Sequence, residues 1–291
     1  MKKYLFLLVA LTLAVGLVMA EDEDEGIGLT VGIESGIWDV NKPDGNEDVY
    51  PYLMPMVYYD KSFLDGALDV YAELDYTLGF PKINGNLYQD LYFDLFLGYN
   101  HNFGEASTLS FLLENENVFI LSDEYESDGS ERIWGVIRPG LKFNQNVKAG
   151  DFYVKLDVPI AYANYGGDPA VGLDYTAGWG SAFGLGLEAK IHTLFAPSDE
   201  ETGYTGLDLI VSYENGPIYA EVEVRIARET DGNSCSSFFD GSSYKAGVAI
   251  IPEFQYNFDF GLGVYVNCAF GSIGGNGDVK ISPALGVTYS F

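Results

Sequence analysis

Basic residues are scarce in this chain. Its 291 residues include 15 Lys plus Arg against 43 Asp plus Glu, for a formal net charge of −28. That balance excludes nucleic acid as a natural partner, because phosphate contacts need lysine and arginine. Cysteine is nearly absent, with only Cys235 and Cys268, so no zinc-ligand spacing exists. Histidine is limited to His101 and His192, and no G-x-S-x-G element is present, which leaves little for acid–base or acyl-transfer chemistry. The chain is therefore not expected to be an enzyme, and no cofactor is implied.

Long apolar runs are missing as well, apart from the first twenty residues. "MKKYLFLLVALTLAVGLVMA" has a positive start at Lys2 and Lys3, an apolar stretch and small residues before Ala20. These are the features of a cleavable export signal. No cysteine follows Ala20, so a lipoprotein anchor is not expected. Residues 21–25, "EDEDE", form a short acidic segment, and removal of Lys2 and Lys3 with the leader takes the net charge from −28 to −30. Beyond that point no stretch approaches the roughly 18 residues a membrane-spanning helix needs.

What the chain has instead is alternation. In "GALDVYAELDYTLGF" (66–80), Leu68, Val70, Ala72, Leu74, Tyr76 and Leu78 fall on one strand face, and Asp69, Tyr71, Glu73, Asp75 and Thr77 on the other. "LYQDLYFDLFLGYNH" and "DFYVKLDVPIAY" repeat the pattern. Each is about as long as a tilted strand that crosses a bilayer. Candidate strands lie near 26–37, 48–59, 66–79, 87–101, 106–121, 132–144, 151–163, 170–178, 182–195, 204–213, 217–228, 244–257, 261–271 and 278–291. That makes about fourteen, with twelve as the alternative if the glycine-rich 170–195 region is one bent strand. Compact connections such as "NFGEA" and "ENGP" follow the even-numbered strands. Longer acidic ones, such as "WDVNKPDGNED", "SDEYESDGSE" and "ETDGNSCSSFFDGSS", follow odd-numbered strands.

The expected fold is all-β, a closed antiparallel up-and-down transmembrane barrel over 26–291. Exposed apolar strand faces argue against a soluble sandwich. So do the aromatics near strand ends (Tyr50, Tyr52, Tyr58, Phe80, Tyr99, Phe103, Phe195, Phe258 and Phe260), placed where interfacial girdles sit. The chain closes on Leu285, Val287, Tyr289 and Phe291 at every second position. In this the chain resembles Gram-negative-type outer-membrane β-barrels, whose last strand carries an alternating aromatic signal read by the barrel-assembly machinery. The resemblance implies outer-membrane lipid as surroundings, that machinery as a partner during biogenesis, and both termini in the periplasm. It identifies no particular family and does not distinguish monomer from trimer. Only "EDEDE" precedes the first strand, which differs from lipid-transporting barrels with an N-terminal hatch.

The inward faces carry the functional expectation. Asp69, Glu73, Asp75, Asp90, Asp94, Asp157, Glu221, Glu223 and Glu253 would line a lumen, with Arg138, Lys142, Lys155 and Arg225 as its basic side chains. An excess of fixed negative charge in a low-dielectric wall concentrates cations. The expected role is a porin-like channel for small polar solutes, cation-preferring. The alternatives are a non-transporting adhesin or structural barrel and, more distantly, a rim enzyme around His192, Glu188, Lys190, Thr193 and Asp199. Two readings of the basic residues stay open: opposed acidic and basic walls that orient dipolar solutes, or simple pairing, Arg138 with Asp157 and Arg225 with its neighbours. Inward tyrosines (Tyr71, Tyr92, Tyr153, Tyr219) are either a flat face for sugar-like solutes or filler. No metal site is expected, because "SDEYESDGS" and "GGNGD" both miss the register of calcium loops. A Cys235–Cys268 bridge is not expected either, since Cys268 falls on the lipid-facing parity.

Overall fold

The computed structural model describes residues 28–38, 50–83, 86–121, 133–163, 170–195, 204–229, 235–236, 243–244, 246–272 and 279–291. The leader, the acidic 21–25 segment, most of the longer connections and Asp199 lie outside these. The strands are β1 (Leu29–Trp38), β2 (Tyr50–Phe63), β3 (Leu68–Ile83), β4 (Asn86–Asn102), β5 (Ser107–Ile120) and β6 (Ile133–Val147). Next come β7, in two segments (Gly150–Asp157 and Ile160–Ala163), β8 (Ala170–Gly180), β9 (Leu185–Phe195) and β10 (Tyr204–Asn215). The wall ends with β11 (Ile218–Glu229), β12 (Ala246–Asn257), β13 (Leu262–Ser272) and β14 (Val279–Ser290). Each pairs antiparallel with its sequence neighbours, and β14 pairs with β1. The sheet is thus a closed fourteen-strand barrel.

Two places test the strand count. Pro159 interrupts β7 because it has no N–H to donate. The register nevertheless runs through it: Gly140 opposes Asp157 and Ile137 opposes Ile160 at the same offset. Val158 N–H donates to the Pro139 carbonyl at 3.0 Å and Gly172 N–H to the Pro159 carbonyl at 2.8 Å. One strand therefore spans both segments. At 170–195 the chain turns at Ser181–Gly184, where Gly184 N–H donates to the Ser181 carbonyl at 3.1 Å. Two strands result rather than one bent strand, and the twelve-strand alternative falls. Within the segment between β11 and β12, Cys235–Ser236 pairs with Ser243–Tyr244 as a short two-stranded ladder.

Period-two patterning places the apolar residues outside. Phe152, Val154, Leu187, Val211, Val266 and Leu285 stand 45–56% exposed on the outer surface. A contiguous apolar exterior of this kind is stable only against lipid or another covering surface. Cys268 also points outward and carries a free thiol. Tyr99, Phe103, Phe258 and Phe260 stand exposed near the short-turn end as expected. Tyr52 and Tyr58 do not belong to that belt. Their parity turns them inward, where the Tyr52 hydroxyl donates to Glu34 at 2.6 Å and the Tyr58 ring stacks on Tyr71 at 6.5 Å.

Closure depends on a seam between the two ends of the wall. Phe291 N–H donates to the Leu29 carbonyl at 2.9 Å, and the register runs from Thr30 opposite Ser290 to Gly36 opposite Ala284. Inside the seam, Glu34 on β1 accepts from Tyr52 on β2 (2.6 Å) and from Tyr265 on β13 (2.7 Å). Gly36 and Gly286 make this possible. A Cβ at either position would overlap the Tyr52 or Tyr265 ring that crosses over it.

Candidate functional site in the lumen

The alternation that sends apolar side chains outward collects the charged ones inside. On β3, β4 and β5 the inner positions bring Glu73 opposite Asp94 and Asp94 opposite Glu116. Asp75 opposes Met56 on β2, and Asp90 lies on the same inner face of β4, opposite Thr77. Arg138 on β6 reaches back into this patch. Its Nη1 forms an ion pair with Glu116 and lies 3.5 Å from Glu114. Asp157 instead pairs with Lys155 at 2.9 Å. The expected Arg138–Asp157 pair is therefore replaced, because Arg138 has two carboxylates beside it on β5 whereas Asp157 has Lys155 two residues away on its own strand.

The second acidic group lies on β11 and β12, where Glu221 opposes Glu253. Arg225 is held by Glu223 through two hydrogen bonds of 2.6 and 2.8 Å, the fork geometry that suits a carboxylate. Lys142 lies over the Tyr153 ring at 4.4 Å. Among the described residues the inner face does not separate into one acidic and one basic wall. Arg138 and Arg225 sit inside acidic groups as counter-ions, and Lys142 and Lys155 oppose each other on β6 and β7.

The inward tyrosines are neither free platforms nor inert filler. Tyr71 donates to Glu73 at 2.5 Å, Tyr92 to Glu116 at 3.4 Å, Tyr153 to Glu188 and Tyr219 to Glu221. Each hydroxyl supplies a donor to a carboxylate that water would otherwise solvate. Near the short-turn end a cavity of about 500 Å³ is lined by Asp69, Asn100, Ser110, Lys142, Asn144 and Lys155 among others. Asn100 is anchored there by donating to Asp69 at 2.7 Å and accepting from Ser110 at 2.6 Å.

His101 lies within the end of β4, edge-on to Phe103 at 4.6 Å. His192 is buried on the inner face between two carboxylates. Its Nε2 is 2.5 Å from Asp208 and its Nδ1 3.3 Å from Asp174. With both ring nitrogens engaged, neither is placed to take a proton from a nucleophile. Glu34, Glu114, Glu116, Asp174 and Asp208 are inner-face acids that the sequence reading did not single out. Each lies in an expected strand at the inward parity, so the period-two rule was the signal available for them. The cross-strand partners that give them their roles were not.

This arrangement defines a class. The chain has the fold of the outer-membrane β-barrel channels, with an inner face that is polar and predominantly acidic. Among solved structures, it is similar to a TodX mutant described as a monoaromatic hydrocarbon channel (11% identity, 90% of each chain covered, TM-score 0.54). It is also similar to CymD, another monoaromatic hydrocarbon channel (11% identity, 91% of this chain and 88% of that one, TM-score 0.52). At these identities the likeness shows the fold alone. No family model and no curated protein matches the chain.

Proposed function

We propose that this protein is an outer-membrane channel for passive diffusion of small polar solutes, with a preference for cations. The observation that carries the reading is the inner face of the closed barrel. Among the described residues its carboxylates exceed the basic residues Arg138, Lys142, Lys155, Lys190 and Arg225, and several of these charged groups keep contact with solvent. The side chains of Glu114 and Glu116 are each 23% exposed, that of Lys155 23% and that of Arg225 39%. Fourteen strands lie between the eight that side chains fill and the sixteen or more that leave a wide aqueous channel, so a narrow lumen is expected. Cations entering it meet fixed negative charge in a wall of low dielectric constant.

The hydrocarbon cargo named for TodX and CymD does not suit this wall. An apolar ring would strip water from carboxylates without offering hydrogen bonds in return. The proposed setting has the short turns and both termini in the periplasm and the longer acidic connections outside, with lipid around the apolar band. Leu285, Val287 and Tyr289 on β14 and Phe291 just after it, 38–56% exposed, are proposed as the assembly signal. The role is non-enzymatic.

The deciding experiment is single-channel recording of the refolded mature protein in a planar bilayer across a potassium chloride gradient. Ohmic steps with a cation-selective reversal potential are expected. A correctly inserted but silent barrel would overturn the channel role, and an anion-selective reversal would overturn the proposed preference.

A further inference from the structure

One group of carboxylates on the inner face differs from the rest. Asp94 on β4 and Glu114 and Glu116 on β5 each present an oxygen, and these three oxygens lie within 4.8 Å of one another. Asp94 and Glu116 are register partners, and Glu114 is the next inward residue along β5. Proximity alone is common on an acidic wall. Asp94 is 6% exposed, and its Oδ1 is buried with no hydrogen-bond partner. Arg138 offers its Nη1 to Glu116 and Glu114, while its own Nε is buried and unpartnered too.

A buried carboxylate oxygen without a donor is costly, and the usual remedy is a proton donor or a cation. The wall around Asp94 supplies no donor to that oxygen, although Tyr71 and Tyr92 donate to Glu73 and Glu116 close by. Asp75 Oδ1 is likewise buried and unpartnered, but Asp75 is not part of the three-oxygen group. The donor set is therefore all oxygen, all carboxylate and drawn from adjacent strands. Oxygens that share a calcium ion at 2.3–2.6 Å each lie at most about 5 Å apart, the span seen here.

We propose that Asp94, Glu114 and Glu116 form a binding station on the inner wall for a hard divalent cation of the calcium class. It deepens the channel reading and rests on it for the ion's access from the lumen. Water would complete the coordination on the lumen side, as is usual where a protein supplies only a few ligands. The Arg138 guanidinium shares two of the three carboxylates, so cation and guanidinium compete for the same negative charge. Occupancy would place a slowly exchanging positive charge beside the permeation path and slow the passage of potassium.

The test is titration of the refolded full chain with calcium chloride, followed by calorimetry, and in parallel by terbium luminescence sensitised by the adjacent Tyr92. The wild type should show one saturable site per barrel above a weak background from the acidic connections. D94N and E116Q should each weaken that site at least tenfold. Both are checked for folding by heat-modifiable gel mobility, and either suffices if the other fails to fold. Titrations that coincide for wild type and a folded variant would overturn the proposal, because the ions would then be held elsewhere. The absence of a saturable component in the wild type would overturn it without any variant. Binding does not require conduction, so the two readings fail separately. A silent barrel that still loses its site in D94N removes the channel role and leaves the station. A conducting barrel without the site does the reverse.

Discussion

Short acidic side chains on the inner wall are packed between longer neighbours, and this sets what each can contribute. Asp75 and Asp157 are 5% and 1% exposed, so they act on a passing ion through the field more than by contact. Conversion of Asp69, Glu73, Asp75, Asp90 and Asp94 together to their amides weakens that field while preserving volume. The cation-to-anion permeability ratio should fall by about tenfold, the low end of the enrichment a one-signed cleft produces. An unchanged reversal potential would show that these residues do not face the conducting path. Arg138→Met acts in the opposite direction. It leaves Glu114 and Glu116 without their counter-ion, so cation preference should rise. Unfolding in urea should become easier by about 2 kcal/mol, less than for a fully buried pair because these carboxylates are partly solvated. Arg138→Lys should restore stability only in part, since an ammonium is more strongly hydrated than a guanidinium and costs more to hold on this largely buried part of the wall.

Among the elements, the β14–β1 pairing closes the barrel, and it is braced by side chains from three strands. Glu34 links β1 to Tyr52 on β2 and, over β14, to Tyr265 on β13. Glu34→Ala should lower the unfolding free energy by about 2–3 kcal/mol, the worth of one or two hydrogen bonds to a charged acceptor. Urea titration of the heat-modifiable gel shift would read it, and Tyr265→Phe should show about half the loss. Gly286→Ala tests the same seam from its backbone. The added methyl overlaps the Tyr265 ring, so that ring must swing away from Glu34, at a cost of about 1–3 kcal/mol. A variant as stable as wild type would show that the Tyr265 ring does not need to lie across Gly286.

For the whole molecule, the charge excess is spread over both acidic groups rather than held at one constriction. Selectivity should therefore depend strongly on ionic strength. The screening length is about 10 Å at 0.1 M salt and about 3 Å at 1 M, shorter than a lumen of this strand number is wide. Reversal potentials measured at a fixed concentration ratio should approach zero as the mean concentration rises. Selectivity that persists at 1 M would instead indicate a single narrow site that ions touch directly.

The sequence by itself determined the strands, their number within the choice of twelve or fourteen, and which side chains face in. Side-chain direction alternates strictly along an extended chain, so parity needs no knowledge of neighbours. Asp69, Glu73, Asp94 and Lys155 were legible on that rule alone, and so was the outward face of β14. The tertiary structure decided what parity cannot reach, namely which inward residue meets which. Register and closure bring Arg138 to Glu116 instead of Asp157, and set Glu34 between tyrosines on strands far apart in the sequence. They also place Asp94 beside Glu114 and Glu116. Those pairings depend on hydrogen-bond register between separate strands, and a one-residue slip would change every one of them.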